Sequence, residues 1–346
     1  MLVSTTLRSC TFILLLLNVL TLSAQQDQMF TKYFFNTLAY NPAYAGSREH
    51  LSIAALVREQ WAGWNQGAAA ENGGAPRSQN LTIHTPWHER IGLGLSLFND
   101  KAGATGSSGF NFSYAYRIPF GDSKLSIGVN GGAAYWRANW DELAFKDPRE
   151  LDPVFAGNNP NRWIPTVGAG LFFYNDNFYA GFSVPRLFSY ELRDPDPGMV
   201  QTAQIYRHYY FTAGGAIPLR GDDLIFKPSL LVKSVGMFGD YAAGGKNAGR
   251  VGAPTEFETD LSLLFYEKLW LGVAFRSTFA EIFSDKSSHD SADVWAAFYL
   301  RNGMRIGLAY DLPLTRILQH SAGSFELLLA YDFEYKVRKV LTPRYF

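Results

Sequence analysis

Several stretches of the chain carry residue types that could do chemistry. By type, His289, Asp290 and Ser291 are the base, acid and nucleophile of a hydrolytic relay. Side chains adjacent in sequence do not form that relay, which needs the base between its two partners in space, so the run reads as an acidic-serine loop. His84 and His88 stand four apart, but Pro86 lies between them and no helix holds both imidazoles on one face, so no metal site is expected there. The glycine cluster from Gly239 to Asn247 is close to a phosphate loop, yet its spacing is off by one and Asn247 replaces the required Ser or Thr. It reads as an outer loop. No nucleophile and base share a face, so the chain is read as non-enzymatic, with no catalytic residue, no metal and no cofactor.

The remaining charges follow a pattern of their own. Glu256, Glu258 and Asp260 alternate with Phe257, Leu261 and Leu263; Arg305 and Asp311 oppose Ile306, Leu308 and Tyr310; Glu326 and Asp332 oppose Phe325, Leu327 and Leu329. That is period 2, the mark of strands with one greasy and one polar face. The stretch from Arg90 to Pro119 shows it twice, with Leu93 and Phe112 on one face and Asn111 and Arg117 on the other. Fourteen such strands are predicted: 51–61, 78–86, 90–99, 106–119, 123–137, 164–175, 177–185, 206–218, 223–235, 255–266, 268–277, 292–300, 302–311 and 324–335.

The connections between them alternate in length. Trp87 to Glu89, Phe120 to Asp122, Asp176, Leu219 to Asp222, Glu267 and Arg301 are short; 62–77, 100–105, 138–163, 186–205, 236–254, 278–291 and 312–323 are longer. A sandwich has no reason to keep one end tight. The fold class is therefore all-β, an outer-membrane β-barrel of about 14 antiparallel strands with short periplasmic turns and long outer loops. An Arg or Lys at the lipid midplane costs about 2–4 kcal/mol, which assigns the charged face to the lumen. The lumenal charges are then Arg58, Arg117, Arg276 and Arg305 against Glu256, Glu258, Asp260, Asp311 and Glu326, expected to pair and plug the pore, with Arg58 reaching Glu326 or Asp332 where the first strand meets the last. His84 shares that lumenal face. Tyr135, Trp136, Trp270, Trp295 and Tyr299 lie near strand ends and suit aromatic belts at the membrane surfaces.

Three segments complete the domain plan. Residues 1–24, with Arg8, the apolar run Thr11 to Leu22 and small residues at Ser23 and Ala24, read as a signal peptide too short to span a bilayer. Residues 25–50 carry aromatics without alternation and the turn former Asn41-Pro42, and read as an irregular segment folded into or under the barrel, a candidate plug. Residues 51–346 form the barrel. Cys10, the single cysteine, leaves with the signal, so neither disulfides nor thiolate metal sites stabilise the mature chain. Without Arg8 the charges stand at 30 basic against 31 acidic, about −1, which gives nucleic acid nothing to bind. The acidic loop Ala138 to Trp163, with Asp141, Glu142, Asp147, Asp152 and Trp163, lacks calcium-loop spacing and reads as a surface for a protein partner.

Short motifs along the whole mature chain give it a family likeness. They are Asn41-Pro42-Ala43-Tyr44-Ala45-Gly46, Arg58-Glu59-Gln60-Trp61-Ala62-Gly63, Gly74-Ala75-Pro76 leading to Leu81-Thr82-Ile83-His84-Thr85-Pro86, and Asn99-Asp100-Lys101-Ala102-Gly103. Further along come Phe226-Lys227-Pro228-Ser229 through Lys233, Leu271-Gly272 with Phe275-Arg276-Ser277, and Gly307-Leu308-Ala309-Tyr310-Asp311. In these the chain resembles the PorP/SprF proteins of the type IX secretion and gliding machinery. Two departures stand out: Gln66 to Gly73 looks like an insertion, and Phe325 replaces a frequent His before Glu326, which removes a lumenal His-carboxylate pair. The resemblance implies a barrel in the outer-membrane lipid that works with periplasmic and outer-membrane secretion proteins. Its implied role is to anchor or display adhesin-like proteins through their C-terminal domains. The alternative is a transporter or porin for hydrophobic or small solutes, with a mobile N-terminal plug.

Overall fold

The computed structural model describes residues 30, 32–64, 74–143, 159–191, 204–235, 255–279 and 290–333. The signal segment, the cluster Gly239 to Asn247, His289, Asp147 and Asp152 lie outside them, as does the insertion Gln66 to Gly73.

Fourteen strands build the wall: β1 (Leu51–Glu59), β2 (Arg77–His88), β3 (Ile91–Ala102), β4 (Thr105–Phe120), β5 (Ser123–Ala138), β6 (Asn161–Tyr174) and β7 (Phe178–Val184). They continue with β8 (His208–Gly215), β9 (Leu224–Val235), β10 (Glu256–Phe265), β11 (Leu269–Thr278), β12 (Ser291–Tyr299), β13 (Met304–Pro313) and β14 (Ser324–Phe333). Each pairs antiparallel with the next, and β14 returns to β1 from Leu51↔Phe333 to Glu59↔Phe325, so the sheet closes. Closure satisfies every ladder donor and acceptor, which lipid cannot do. Alternation sets the faces: Phe112, Val129, Val273, Val294 and Leu308 are more than half exposed on the outside, while Arg58, Glu258, Asp293 and Arg305 are buried within.

One end is tight and the other elaborate, with one exception. The predicted loop 100–105 is a two-residue turn at Gly103 and Ala104, because β3 and β4 run on in register to Ala102↔Thr105. Gly103, at φ +57°, makes the turn possible. Conversely, β1 stops at Glu59: Trp61 adopts φ +53° and cannot continue the strand.

Residues 32–49 lie inside the barrel as three short 3₁₀ turns, Tyr33–Phe35, Thr37–Ala39 and Pro42–Tyr44. Asn41 starts the third: its side-chain oxygen accepts from the Ala43 N–H at 3.0 Å, and Pro42 takes the first helical position, where its missing N–H costs nothing. The wall makes room for this turn with a row of small residues that face each other across four strands, Gly92↔Ala115↔Gly128↔Gly170. A Cβ on Gly92 would stand 2.0 Å from the Ala45 carbonyl oxygen, one on Gly128 2.2 Å from the Ala43 nitrogen, and one on Gly170 2.2 Å from the Asn41 Oδ1. Only glycine lets two backbones come that close.

Candidate functional site

The lumen is where the described charges gather, and the two halves of it differ. Toward the elaborate end, Arg276 donates through Nε and Nη2 to Glu258 Oε2 at 3.0 and 2.7 Å, and its Nη1 stands 3.6 Å from Asp311. Arg58 bonds Asp311 at 2.6 Å and lies 3.6 Å from Glu326, its neighbour across the β1–β14 seam. Lys32 of the plug reaches Asp260 at 3.4 Å, while its backbone N–H donates to Glu326 at 3.0 Å. Lys233 stands 3.6 Å from Glu256. Fixed, desolvated pairs of this kind hold the plug and wall in one arrangement, since removing one partner leaves a buried charge uncompensated.

Toward the tight end, Asp332 collects Arg305 at 2.9 Å, Arg48 at 3.2 Å and His50 at 3.3 Å. It also accepts from Ser52 at 2.6 Å. Asp332 therefore serves Arg305 and the plug rather than Arg58. Among the described residues Arg117 makes no ion pair: it donates to the carbonyls of Gly46 at 2.8 Å, His88 at 2.6 Å and Ile91 at 3.2 Å, clamping the end of the plug to two strands. His84 is buried and its Nδ1 accepts from the Gly46 N–H at 3.2 Å, a structural use of the imidazole.

Aromatics complete the seal, and here the structure corrects the belt assignment. Trp270 and Trp295 are buried in the lumen, their rings 5.1 Å apart and within 5.2 Å of Phe34 of the plug. Trp295 Nε1 donates to Asp260 at 2.7 Å, and Lys227 lies 3.5 Å from the Trp270 ring centre. Tyr299 packs against the same cluster. Both tryptophans share the parity of inward charges, Trp270 with Arg276 and Trp295 with Asp293, and strand geometry sends them inward too. Exposed aromatics at the tight end include Trp87, Phe120 and Tyr266. Parity also corrects the reading of Phe325, which is half exposed on the outer face, so a His there would look away from the lumen and from Glu326.

The other sequence candidates scatter. Gln60 and Trp61 lie past the end of β1, where the Gln60 N–H donates to Pro76 at 2.9 Å and the Trp61 N–H to Ser324 Oγ at 3.2 Å; Gly63, at φ +82°, belongs to the same turn. Pro86 marks an irregularity in the β2–β3 register, and Asp100 accepts from Ser78 inside the wall. Trp163 sits in β6 rather than in a loop, because the strand begins at Asn161; it is exposed on the outer face with its ring 5.2 Å from Tyr135. Asp141 and Glu142 stand on a short turn above β5, where Asp141 accepts from Asn159 at 2.9 Å. The hydrogen bond from Lys101 to Glu142 holds that carboxyl below its ordinary range. Sequence reading missed Lys32, Arg48 and Asp293. The two plug cations sat in a segment without periodicity, and Asp293 shares parity with Trp295.

A closed fourteen-strand barrel with an apolar outside and a charged, filled lumen defines an outer-membrane barrel protein. A solved barrel shares the fold: the CymD monoaromatic hydrocarbon channel superposes with a TM-score of 0.50 at 11% identity, covering 91% of this chain and 95% of that one. The toluene transporter TbuX of Ralstonia pickettii gives a TM-score of 0.49 at 10% identity, over 86% and 93%. At 11% identity the CymD likeness speaks to fold alone. No curated protein matches the chain. The family described as type IX secretion system membrane protein PorP/SprF matches residues 22–331, and the chain belongs to that family.

Proposed function

We propose that this barrel is a non-catalytic anchoring component of the type IX secretion and gliding apparatus, holding exported adhesin-like proteins at the cell surface through their C-terminal domains. Family membership over residues 22–331 carries the reading. The lumen adds to it. A plug tied to β2, β6, β10 and β14 by Gly46, Asn41 and Lys32 suits a fixed platform better than an open conduit. The partners are periplasmic and outer-membrane proteins of the apparatus at the tight end, and the client at the loops of the other. Among the candidate contacts there are Asp141, Glu142 and the turn Trp61 to Trp64.

The test is a strain lacking this chain. Its clients are expected in the medium instead of on cells, with total secretion preserved, as read by quantitative mass spectrometry of shaved surface and supernatant. An unchanged surface proteome combined with lost uptake of a small solute would refute the anchoring role and favour transport.

A further inference from the structure

We infer that the outer half of the lumen holds a binding site for an ammonium or guanidinium group carried on an apolar stem, a ligand class beyond the anchoring role. The site is a cavity of about 150 Å³ above the plug, with room for several water-sized groups. Tyr33, Tyr40, Phe98, Tyr210 and Phe257 supply its aromatic lining. Polar atoms of Asn80, Asp100, Asn111, Glu256 and Glu258 share the wall with them.

Among the described residues, two lining acceptors have neither a hydrogen-bond nor an ion-pair partner, whereas Glu256 Oε2, also without a hydrogen bond, stands 3.6 Å from Lys233. Asn80, 5% exposed on β2, spends its amide N–H on Ser96 at 3.3 Å, and its Oδ1 accepts nothing. Glu258, 2% exposed on β10, receives Arg276 wholly on Oε2, and its Oε1 accepts nothing. Both line the cavity. Buried acceptors left without donors are costly, so the group that belongs here brings donors. The surrounding charge says which kind. The cavity wall itself carries Asp100, Glu256 and Glu258 against Arg186, Lys233 and Arg276, and behind its Glu258 side stand four more buried carboxylates, Asp260, Asp293, Asp311 and Glu326, against only Lys32 and Arg58. Asp293 faces Asp311 across β12 and β13, and its Oδ2 lies 3.9 Å from Arg276. A cationic donor group relieves both deficits at once, and the tyrosine and phenylalanine rings favour it further. A metal ion fits less well: among the described residues no three or more His, Cys, Asp or Glu are arranged to hold one.

The group could arrive as a free amine or as a Lys or Arg side chain of a bound polypeptide. Full-length barrel in nanodiscs is titrated calorimetrically with agmatine, with blocked acetyl-lysine amide, and with the neutral isosteres 1-pentanol and acetyl-norleucine amide. Agmatine is expected to bind and the two neutral probes not to. Binding of the blocked lysine as well identifies a polypeptide side chain as the source; binding of agmatine alone identifies a free amine. Asn80→Leu and Glu258→Gln are each expected to weaken binding about tenfold or more, and Asp122→Asn at the tight end to leave it unchanged. Heat-modifiable mobility verifies that each variant is folded; if Glu258→Gln is not, Asn80→Leu decides. Absence of heat with agmatine, equal affinity for agmatine and 1-pentanol, or wild-type affinity in folded Asn80→Leu would overturn the inference.

Discussion

Replacing Gly92 and Gly128 together with alanine is expected to unseat the plug without breaking the wall. The new Cβ at Gly92 meets the Ala45 carbonyl oxygen at 2.0 Å, and the one at Gly128 meets the Ala43 nitrogen at 2.2 Å and its Cα at 2.4 Å. Both obstacles are backbone and cannot rotate away. The turn from Pro42 to Gly46 must therefore retreat by about 1 Å or more to reach ordinary contact, which is overpacking of the kind that costs about 1–3 kcal/mol per site. Such a shift pulls Gly46 away from His84, which it reaches at 3.2 Å, and from Arg117, at 2.8 Å. The ladder pairs Gly92↔Ala115 and Ala115↔Gly128 are backbone bonds and persist. In planar bilayers the native barrel is expected to be nearly silent and the double variant to carry current, and to lose its folded gel mobility at lower temperature. Gly131→Ala, where a Cβ meets nothing within 4 Å, is the control. A double variant as silent and as heat-resistant as the native protein would refute the idea that the plug is seated on this row.

Other perturbations probe the rest of the lumen. Arg58→Met leaves Asp311 and Glu326 facing a lost cation and is expected to cost about 3–5 kcal/mol in urea unfolding, partly restored by adding Asp311→Asn; unchanged stability contradicts the pairing. Trp295→Ala removes contacts with Phe34, Trp270 and Asp260 and is expected to cost about 3–5 kcal/mol. Brominated lipid should leave Trp295 fluorescence intact while quenching Trp87, and the reverse order would restore the belt assignment. Glu142, held below the ordinary carboxylate range by Lys101, contributes to its turn above the unfolded pKa and loses that contribution as pH falls through the folded one. Lys101→Met is expected to raise the Glu142 titration midpoint, read by NMR, and no change would remove Lys101 as the cause.

Much of the wall was legible because its physics is local. Period 2 and the cost of charge in lipid assign Glu258, Asp260 and Arg276 to the lumen without any knowledge of partners. The same rule, applied strictly, sends Trp270 and Trp295 inward, against the preference of tryptophan for membrane belts. Strand ends were harder. Trp61 and Gly103 break or turn the chain through positive φ, and β3 and β4 run on beyond the lipid band, where polarity no longer alternates with need. The plug was legible only as an absence of periodicity. Its seat depends on Gly92, Ala115, Gly128 and Gly170 aligning across four strands, a register that no single stretch of sequence reveals. Likewise, Asp332 meeting Arg48 and Arg305 joins residues far apart in the chain.

The anchoring role is tested most directly by site-specific photo-crosslinking in living cells, with the reactive group placed at Asp141 or Trp64 beyond the outer end of the wall. The anchoring account expects a crosslink to the C-terminal domain of an exported protein, absent when the same group is placed at lipid-facing Leu308. Crosslinks to lipid alone at all three positions, together with rapid passage of small solutes through the purified barrel, would contradict it.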